Sequence, residues 1–155
     1  MQNFTILNSK EKKSIIKDLK ECYGIKDSSM DLDLIKSNDK LYMISKELGE
    51  FRDIRFNNVG LYFARILNTE IRLSIEGSQI IGKYATKNII SLNNDEIKRW
   101  VGGFDVDTIE MLNGFALIKY KDDFFGSGKV KDGRIINFIP KERRIYNLSY
   151  AEDNK

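Results

Sequence analysis

The C-terminal half of the chain contains one stretch that combines turn signals with an excess of basic residues. It reads FFGSGKVKDGRIINFIPKERR and occupies residues 124–144. Asp132-Gly133 lies between two runs that contain β-branched residues, and an Asp-Gly pair in this setting indicates a β-hairpin. Three neighbouring strands are therefore predicted, at residues 114–120, 124–130 and 134–139.

Upstream of this stretch, short helices and strands alternate. Asn8 and Glu11 have the spacing of a capping box, apolar residues then recur at helical spacing, and Gly24 ends the pattern. These signals predict a helix over residues 9–23. Two further helices are predicted, at residues 76–85 and from residue 93 to the pair Gly102-Gly103, and further strands at 40–45, 59–66, 71–74, 88–92 and 144–148.

This order of elements predicts an α+β fold. An N-terminal α/β subdomain over residues 1–74 is expected to pack on a strand-rich second subdomain over residues 75–155. The second subdomain has the pattern of a small, partly open β-barrel with short helices inserted early. With 155 residues and a hydrophobic fraction of 41%, the chain is long and apolar enough to bury a core.

Composition excludes several classes of function. The chain contains no histidine, which removes the commonest general base and most zinc sites, and no metal or other cofactor is expected. A single cysteine, Cys22, cannot form an internal disulfide and favours a reducing compartment. Because neither a signal peptide nor a long apolar run is present, we expect a soluble, cytoplasmic protein.

The basic residues are unevenly distributed. The net charge is only +3, but residues 115–144 hold eight basic and four acidic side chains, a net of +4. A local excess of this kind steers phosphate groups better than an average charge does. Residues 1–60, with eleven basic and ten acidic side chains, are nearly neutral and are more suited to a protein partner.

Two segments of the basic region are candidates for phosphate binding. In the first segment, residues 124–134, Gly126 and Gly128 would let a ligand approach the backbone, and Phe125 would stack on an unpaired base. The alternative is a strand with a glycine bulge at a barrel corner. In the second segment, residues 140–144, three cations follow an apolar strand; the alternative is a solvated turn.

Residues spread over positions 72–144 form a further pattern. They are Arg72-Leu73-Ser74, Glu76-Gly77, Ala85, Ile89-Ile90, Trp100, Gly102-Gly103, residues 125–129, and Asn137 followed by Pro140, Lys141, Arg143 and Arg144. Together these residues resemble the PUA superfamily of RNA-binding domains. Two members are the closest in pattern: the pre-PUA plus PUA arrangement of ribosome-biogenesis factors, and the PUA-like C-terminal region of RNA cytosine-5 methyltransferases. The resemblance implies that residues 1–74 are pre-PUA-like and residues 75–155 PUA-like.

The resemblance also implies a function. It indicates a non-catalytic protein that binds structured RNA, ribosomal or transfer, as an accessory to ribosome biogenesis or RNA modification. The chain lacks the Pro-Cys dipeptide and the glycine-rich cofactor loop of the methyltransferases. The expected RNA-binding residues are Lys83, Lys87, Phe125, Gly126, Gly128, Lys129, Lys131, Arg134, Lys141, Arg143 and Arg144. The alternative is an adaptor that recruits an RNA methyltransferase or a ribosome-assembly partner.

Overall fold

The computed structural model describes residues 3–26, 30–44 and 60–146, which form an α+β fold as predicted. The elements of the first part are β1 (Thr5–Ile6), α1 (Ser9–Tyr23), β2 (Leu34–Ser37), β3 (Lys40–Met43), β4 (Leu61–Leu67), β5 (Glu70–Leu73) and α2 (Ile75–Gly82). Those of the second part are β6 (Ile89–Ser91), α3 (Asn94–Val101), β7 (Val106–Asp107), β8 (Gly114–Tyr120), β9 (Asp123–Lys131), β10 (Arg134–Ile136) and a 3-10 turn (Lys141–Arg143). Within these residues, no helix is both long and apolar enough to cross a membrane.

The first sheet has the order β1-β2-β3-β4-β5, with every neighbouring pair antiparallel. Helix α1 lies between β1 and β2 in the chain and has the predicted bounds. The Asn8 side chain accepts a hydrogen bond from the Glu11 backbone, the Glu11 side chain accepts one from the Asn8 backbone, and Gly24 closes the helix at φ 62°. Since a positive φ costs glycine little, Gly24 ends the helix where the sequence predicts.

The second sheet has the order β6-β8-β9-β10-β7, in which β6 and β8 are parallel and the other pairs antiparallel. Its two edge strands, β6 and β7, line a common groove, because the sheet curls into a half-barrel. The predicted hairpin joins β9 to β10. Asp132 and Gly133 have φ values of 52° and 75°, as a tight two-residue hairpin turn requires.

Trp100 lies at the centre of the core of the half-barrel and has no exposed surface. Its indole Nε1 donates a 2.7 Å hydrogen bond to the Phe125 carbonyl of β9. Gly128 lies beneath the ring, where a Cβ atom would come within 2.6 Å of Trp100 Cη2. Packing against Trp100 therefore requires glycine at position 128.

The two sheets are joined through β9. Ser127 Oγ donates to the Leu73 carbonyl at 2.9 Å, and the Gly126 amide donates to Ser78 Oγ at 2.8 Å. The hydrophobic core beneath the first sheet also includes Leu117 and Phe124 from the second. The predicted subdomain boundary between residues 74 and 75 stays a prediction. The contacts described above connect the residues on its two sides and do not show where one folding unit ends.

Some predicted elements are wrong in extent or type. The strand expected at 134–139 ends at Ile136, because Asn137 turns away and hydrogen-bonds to residues that follow α3. The strand expected at 144–148 is not formed at residues 144–146, which follow the 3-10 turn; residues 147 and 148 lie outside the described part. Strands β1, β2 and β7 were not predicted. Residue 45, the end of another expected strand, also lies outside the described residues.

Candidate nucleic-acid interface

The fold distributes the predicted cations over three places. Lys83 and Lys87 follow α2. Lys129 and Lys131, at the end of β9, lie with Arg134 near the β9–β10 hairpin turn, and a third group surrounds the 3-10 turn. That last group consists of Lys141, Arg143 and Arg144. Lys83 and the hairpin cations lie at opposite ends of β9, since Phe124 packs on Gly82, next to Lys83, and Lys131 ends the strand. Seven residues of strand, about 23 Å, separate Phe124 from Lys131, so Lys83 and the hairpin cations do not form a single patch.

Lys131, Arg134 and Lys141 share two properties that favour contact with a phosphate. All three are exposed, and none makes an ion pair within residues 3–26, 30–44 and 60–146. Exposed cations of this kind can contact an incoming phosphate without first breaking an ion pair. Lys83 and Lys87 are likewise exposed.

Lys129 differs from its neighbours because it is already paired. Its Nζ lies 3.0 Å from Glu70 Oε2, and it is also 5.7 Å from the centre of the Phe115 ring. Glu70 belongs to β5, so this ion pair links the two sheets. A phosphate contact at Lys129 would have to compete with that carboxylate.

The 3-10 turn holds two arginines in defined positions. Arg143 Nη2 contacts Glu76 Oε1 at 2.6 Å, and this hydrogen bond raises the pKa of the Arg143 guanidinium. Arg144 Nε donates to the Ile139 carbonyl at 3.0 Å, and its side chain covers Gly103, which has a φ of 92°. Lys141 extends from the same turn into solvent.

The glycine-containing segment of β9 faces the interior. Gly126 and Gly128 are buried, and Phe125 is half-buried against the core of the half-barrel. Contacts inside the protein explain why glycine stands at both positions. The Phe125 carbonyl is also engaged, because it accepts the hydrogen bond of the Trp100 indole. Contact of these three residues with RNA stays a prediction, and the structure gives each of them a packing role.

Sequence reasoning missed a groove that lies between the two sheets. It is lined by side chains from β4, β5, the start of α2 and the segment after β10, among them Tyr62, Arg72, Phe138 and Arg143. The Arg72 guanidinium carbon lies 4.4 Å from the centre of the Phe138 ring. Burial raises the pKa of the Tyr62 hydroxyl, an effect that the nearby Arg72 opposes, so this hydroxyl is protonated at neutral pH. The sequence singled out Arg72 and Arg143, which both belong to the residues that match the PUA pattern, but it did not bring them together in one groove.

The acidic residues Asp105 and Asp107 lie close together in sequence, but the structure separates their roles. Asp105 Oδ1 accepts a 2.9 Å hydrogen bond from the Asn137 backbone, and Asp107 lies on edge strand β7. No group of three metal-ligating side chains comes together in the part of the chain that the structure describes. The surface around the hairpin and the 3-10 turn is suited to holding anions.

Comparison with known families supports the predicted resemblance. Residues 87–145 match the family model described as the methyltransferase RsmF PUA domain. This range contains the whole half-barrel, from β6 through the 3-10 turn. The resemblance to the PUA superfamily, and to the PUA domains of RNA methyltransferases in particular, is thus confirmed over these residues.

Three similar proteins carry the name ribosomal RNA small subunit methyltransferase F. Those of Aeromonas salmonicida and Aeromonas hydrophila subsp. hydrophila are 23% and 21% identical to this chain over 141 residues. That of Vibrio parahaemolyticus is 25% identical over 153 residues. Each alignment covers 90% of this chain but only 29% or 30% of the relative, so the chain spans less than a third of the relatives' length.

Proposed function

We propose that this chain is a non-catalytic RNA-binding unit that acts on ribosomal RNA in the cytoplasm, as an accessory to its modification. One observation supports this proposal most directly: Lys131, Arg134 and Lys141 are exposed cations without an ion pair in the described residues. All three lie within the segment that matches a PUA domain. The proposal requires no cofactor. Residues 1–74 would form a pre-PUA-like subdomain on which the PUA-like residues 75–155 pack.

The binding mechanism we propose is mainly electrostatic. Lys131 and Arg134 at the hairpin, with Lys141 and Arg144 at the 3-10 turn, would contact phosphates along one side of the half-barrel. Such contacts position the RNA but carry little sequence information, and they weaken as salt rises because bound counterions are released. Lys83, beside the opposite end of β9, would contact a separate part of a longer RNA, and Lys87 would add a further phosphate contact.

Replacing Lys131, Arg134 and Lys141 together with alanine tests the proposal. We expect the affinity for ribosomal RNA fragments to fall about tenfold, and the slope of log K against log salt to decrease by about two to three, since each lost phosphate contact contributes about 0.7–0.9. Fluorescence anisotropy titrations at several salt concentrations measure both quantities.

A matched control is the triple alanine variant of Lys10, Lys13 and Lys17. These lysines are exposed on α1, and their removal changes the net charge equally. The control variant should keep the wild-type affinity to within about twofold, because α1 lies outside the proposed surface. Equal losses in the two variants would mean that net charge alone attracts the RNA, which contradicts the proposed surface.

A second candidate function is an adaptor that binds a protein partner such as an RNA methyltransferase. The observation that favours it is the loop between β7 and β8, where the Ile109 and Met111 side chains are each 96% exposed. Two fully exposed apolar residues so close together are typical of protein contact sites. Complex formation that survives nuclease treatment and is lost in an Ile109→Ser, Met111→Ser variant would favour the adaptor.

A further inference from the structure

We propose that the groove lined by Tyr62, Arg72, Phe138 and Arg143 binds one unpaired nucleotide of an RNA strand, an inference that rests on the proposed RNA binding. This groove, here called the Arg72 groove, lies between the two sheets, away from the β9–β10 hairpin turn. It combines an arginine stacked on an aromatic ring with a second arginine at its rim. The three following observations together point to a nucleotide.

The first observation is a stacking surface. Arg72 lies over the Phe138 ring at 4.4 Å, and the ring is 37% exposed, so the pair reaches the surface. Phe115 packs against Phe138, with ring centres 5.8 Å apart. Unpaired bases stack on aromatic rings and on arginine planes, whereas the bases of a duplex are already stacked on one another. The Arg72 groove should therefore distinguish a single strand from a duplex.

The second observation is the charge of the groove. Its charged lining residues are Arg72, Arg143 and Glu76, which sum to +1. Arg72 has no carboxylate within ion-pair distance in the described ranges, and Arg143 uses Nη2 for Glu76 while its side chain stays 47% exposed. A guanidinium has five N–H donors, so Arg143 retains donors for a second anion. One excess positive charge complements one phosphodiester.

The third observation is size. The enclosed part of the groove measures about 80 Å³, roughly half of the ~150 Å³ cavity that encloses a benzene molecule. A whole base would not be enclosed. The edge of a base or its sugar would enter the groove, while the face stacks at the rim. This geometry suits a nucleotide that projects from a longer strand.

The test compares a single-stranded oligoribonucleotide of about ten residues with a blunt RNA duplex, each titrated by fluorescence anisotropy. Arg72→Gln and Phe138→Leu should each lower the affinity for the single strand about tenfold, because a stacked base is lost. Both variants should bind the duplex to within about twofold of the wild type, since duplex binding needs only the phosphate-contacting cations.

Arg65→Gln provides the matched control. Arg65 lies directly across from Arg72 in the first sheet, but it is paired with Asp39 at 2.6 Å and does not line the groove. The control loses the same charge as Arg72→Gln and should leave both affinities unchanged. Single-strand binding that survives in Arg72→Gln and in Phe138→Leu overturns the groove alone, whereas a wild type that binds neither RNA overturns the proposed function as well.

Discussion

Replacing Trp100 with alanine is expected to lower the free energy of unfolding by about 3–5 kcal/mol, the range typical of a large aromatic residue removed from a core. Trp100 has no exposed surface and packs among residues of α3, β8 and β10. Its loss leaves a cavity, and the Phe125 carbonyl loses its 2.7 Å hydrogen bond from the indole. Domains of this size have a total stability of about 5–15 kcal/mol, so the variant should lose a large part of it. Urea denaturation followed by circular dichroism measures the change.

Phe104→Ala is the control for this prediction. Phe104 lies just after the same helix, but its side chain is 55% exposed and contacts Arg99 at the surface. We expect a loss below about 1 kcal/mol, since little apolar area is uncovered. Trp100→Phe should fall between the two, because it keeps an aromatic ring in the core but loses part of the indole volume and the hydrogen bond. Similar losses for Trp100→Ala and Phe104→Ala would show that Trp100 is not the centre of the core.

Elements that depend on local signals could be predicted well from the sequence. Helix α1 begins after Asn8 and ends before Gly24 because both caps are formed by residues within the helix or next to it. The β9–β10 hairpin depends on Asp132 and Gly133, whose positive φ values are set by the turn itself. In both cases the residues that determine the structure are close in sequence, so the pattern alone is sufficient.

Elements that depend on distant partners could not be predicted in this way. Strand β1 has two residues and exists because Thr5 and Ile6 pair with β2, some thirty positions away. Strand β7 likewise pairs with β10, where Val106 lies opposite Ile135. Two-residue strands are too short to show an alternating pattern. Their presence follows from the tertiary fold.

The same distinction applies to the candidate site. The sequence identified the basic residues, and Lys131, Arg134 and Lys141 are indeed exposed. It could not show that Lys129 is paired with Glu70, from which 59 positions separate it. Nor could it bring Arg72 together with Phe138, because only the packing of the two sheets places them in contact. The charge of a side chain can be read from sequence, but its availability depends on the fold.

Replacing Asn137 with alanine should lower the free energy of unfolding by about 2–4 kcal/mol, since three hydrogen bonds of about 1 kcal/mol each are lost and buried groups lose their partners. The Asn137 amide nitrogen donates to the Trp100 carbonyl at 2.7 Å and to the Phe104 carbonyl at 3.1 Å. Its amide oxygen accepts from the Ile139 backbone at 2.8 Å. Asn137 thereby fastens the segment after β10 to the C-terminal end of α3.

Two further variants test this prediction: Asn137→Asp removes only the donor, and Asn113→Ala is the exposed control. An aspartate at position 137 still accepts from Ile139 but cannot donate to the two carbonyls, so it should destabilise at least as much as alanine. Asn113 is exposed, and its replacement should cost below about 0.5 kcal/mol. If Asn137→Ala were no more destabilising than Asn113→Ala in urea denaturation, the segment must be held by other contacts. Because this segment leads into Lys141 and Arg144, Asn137→Ala should also weaken RNA binding under conditions where the protein remains folded.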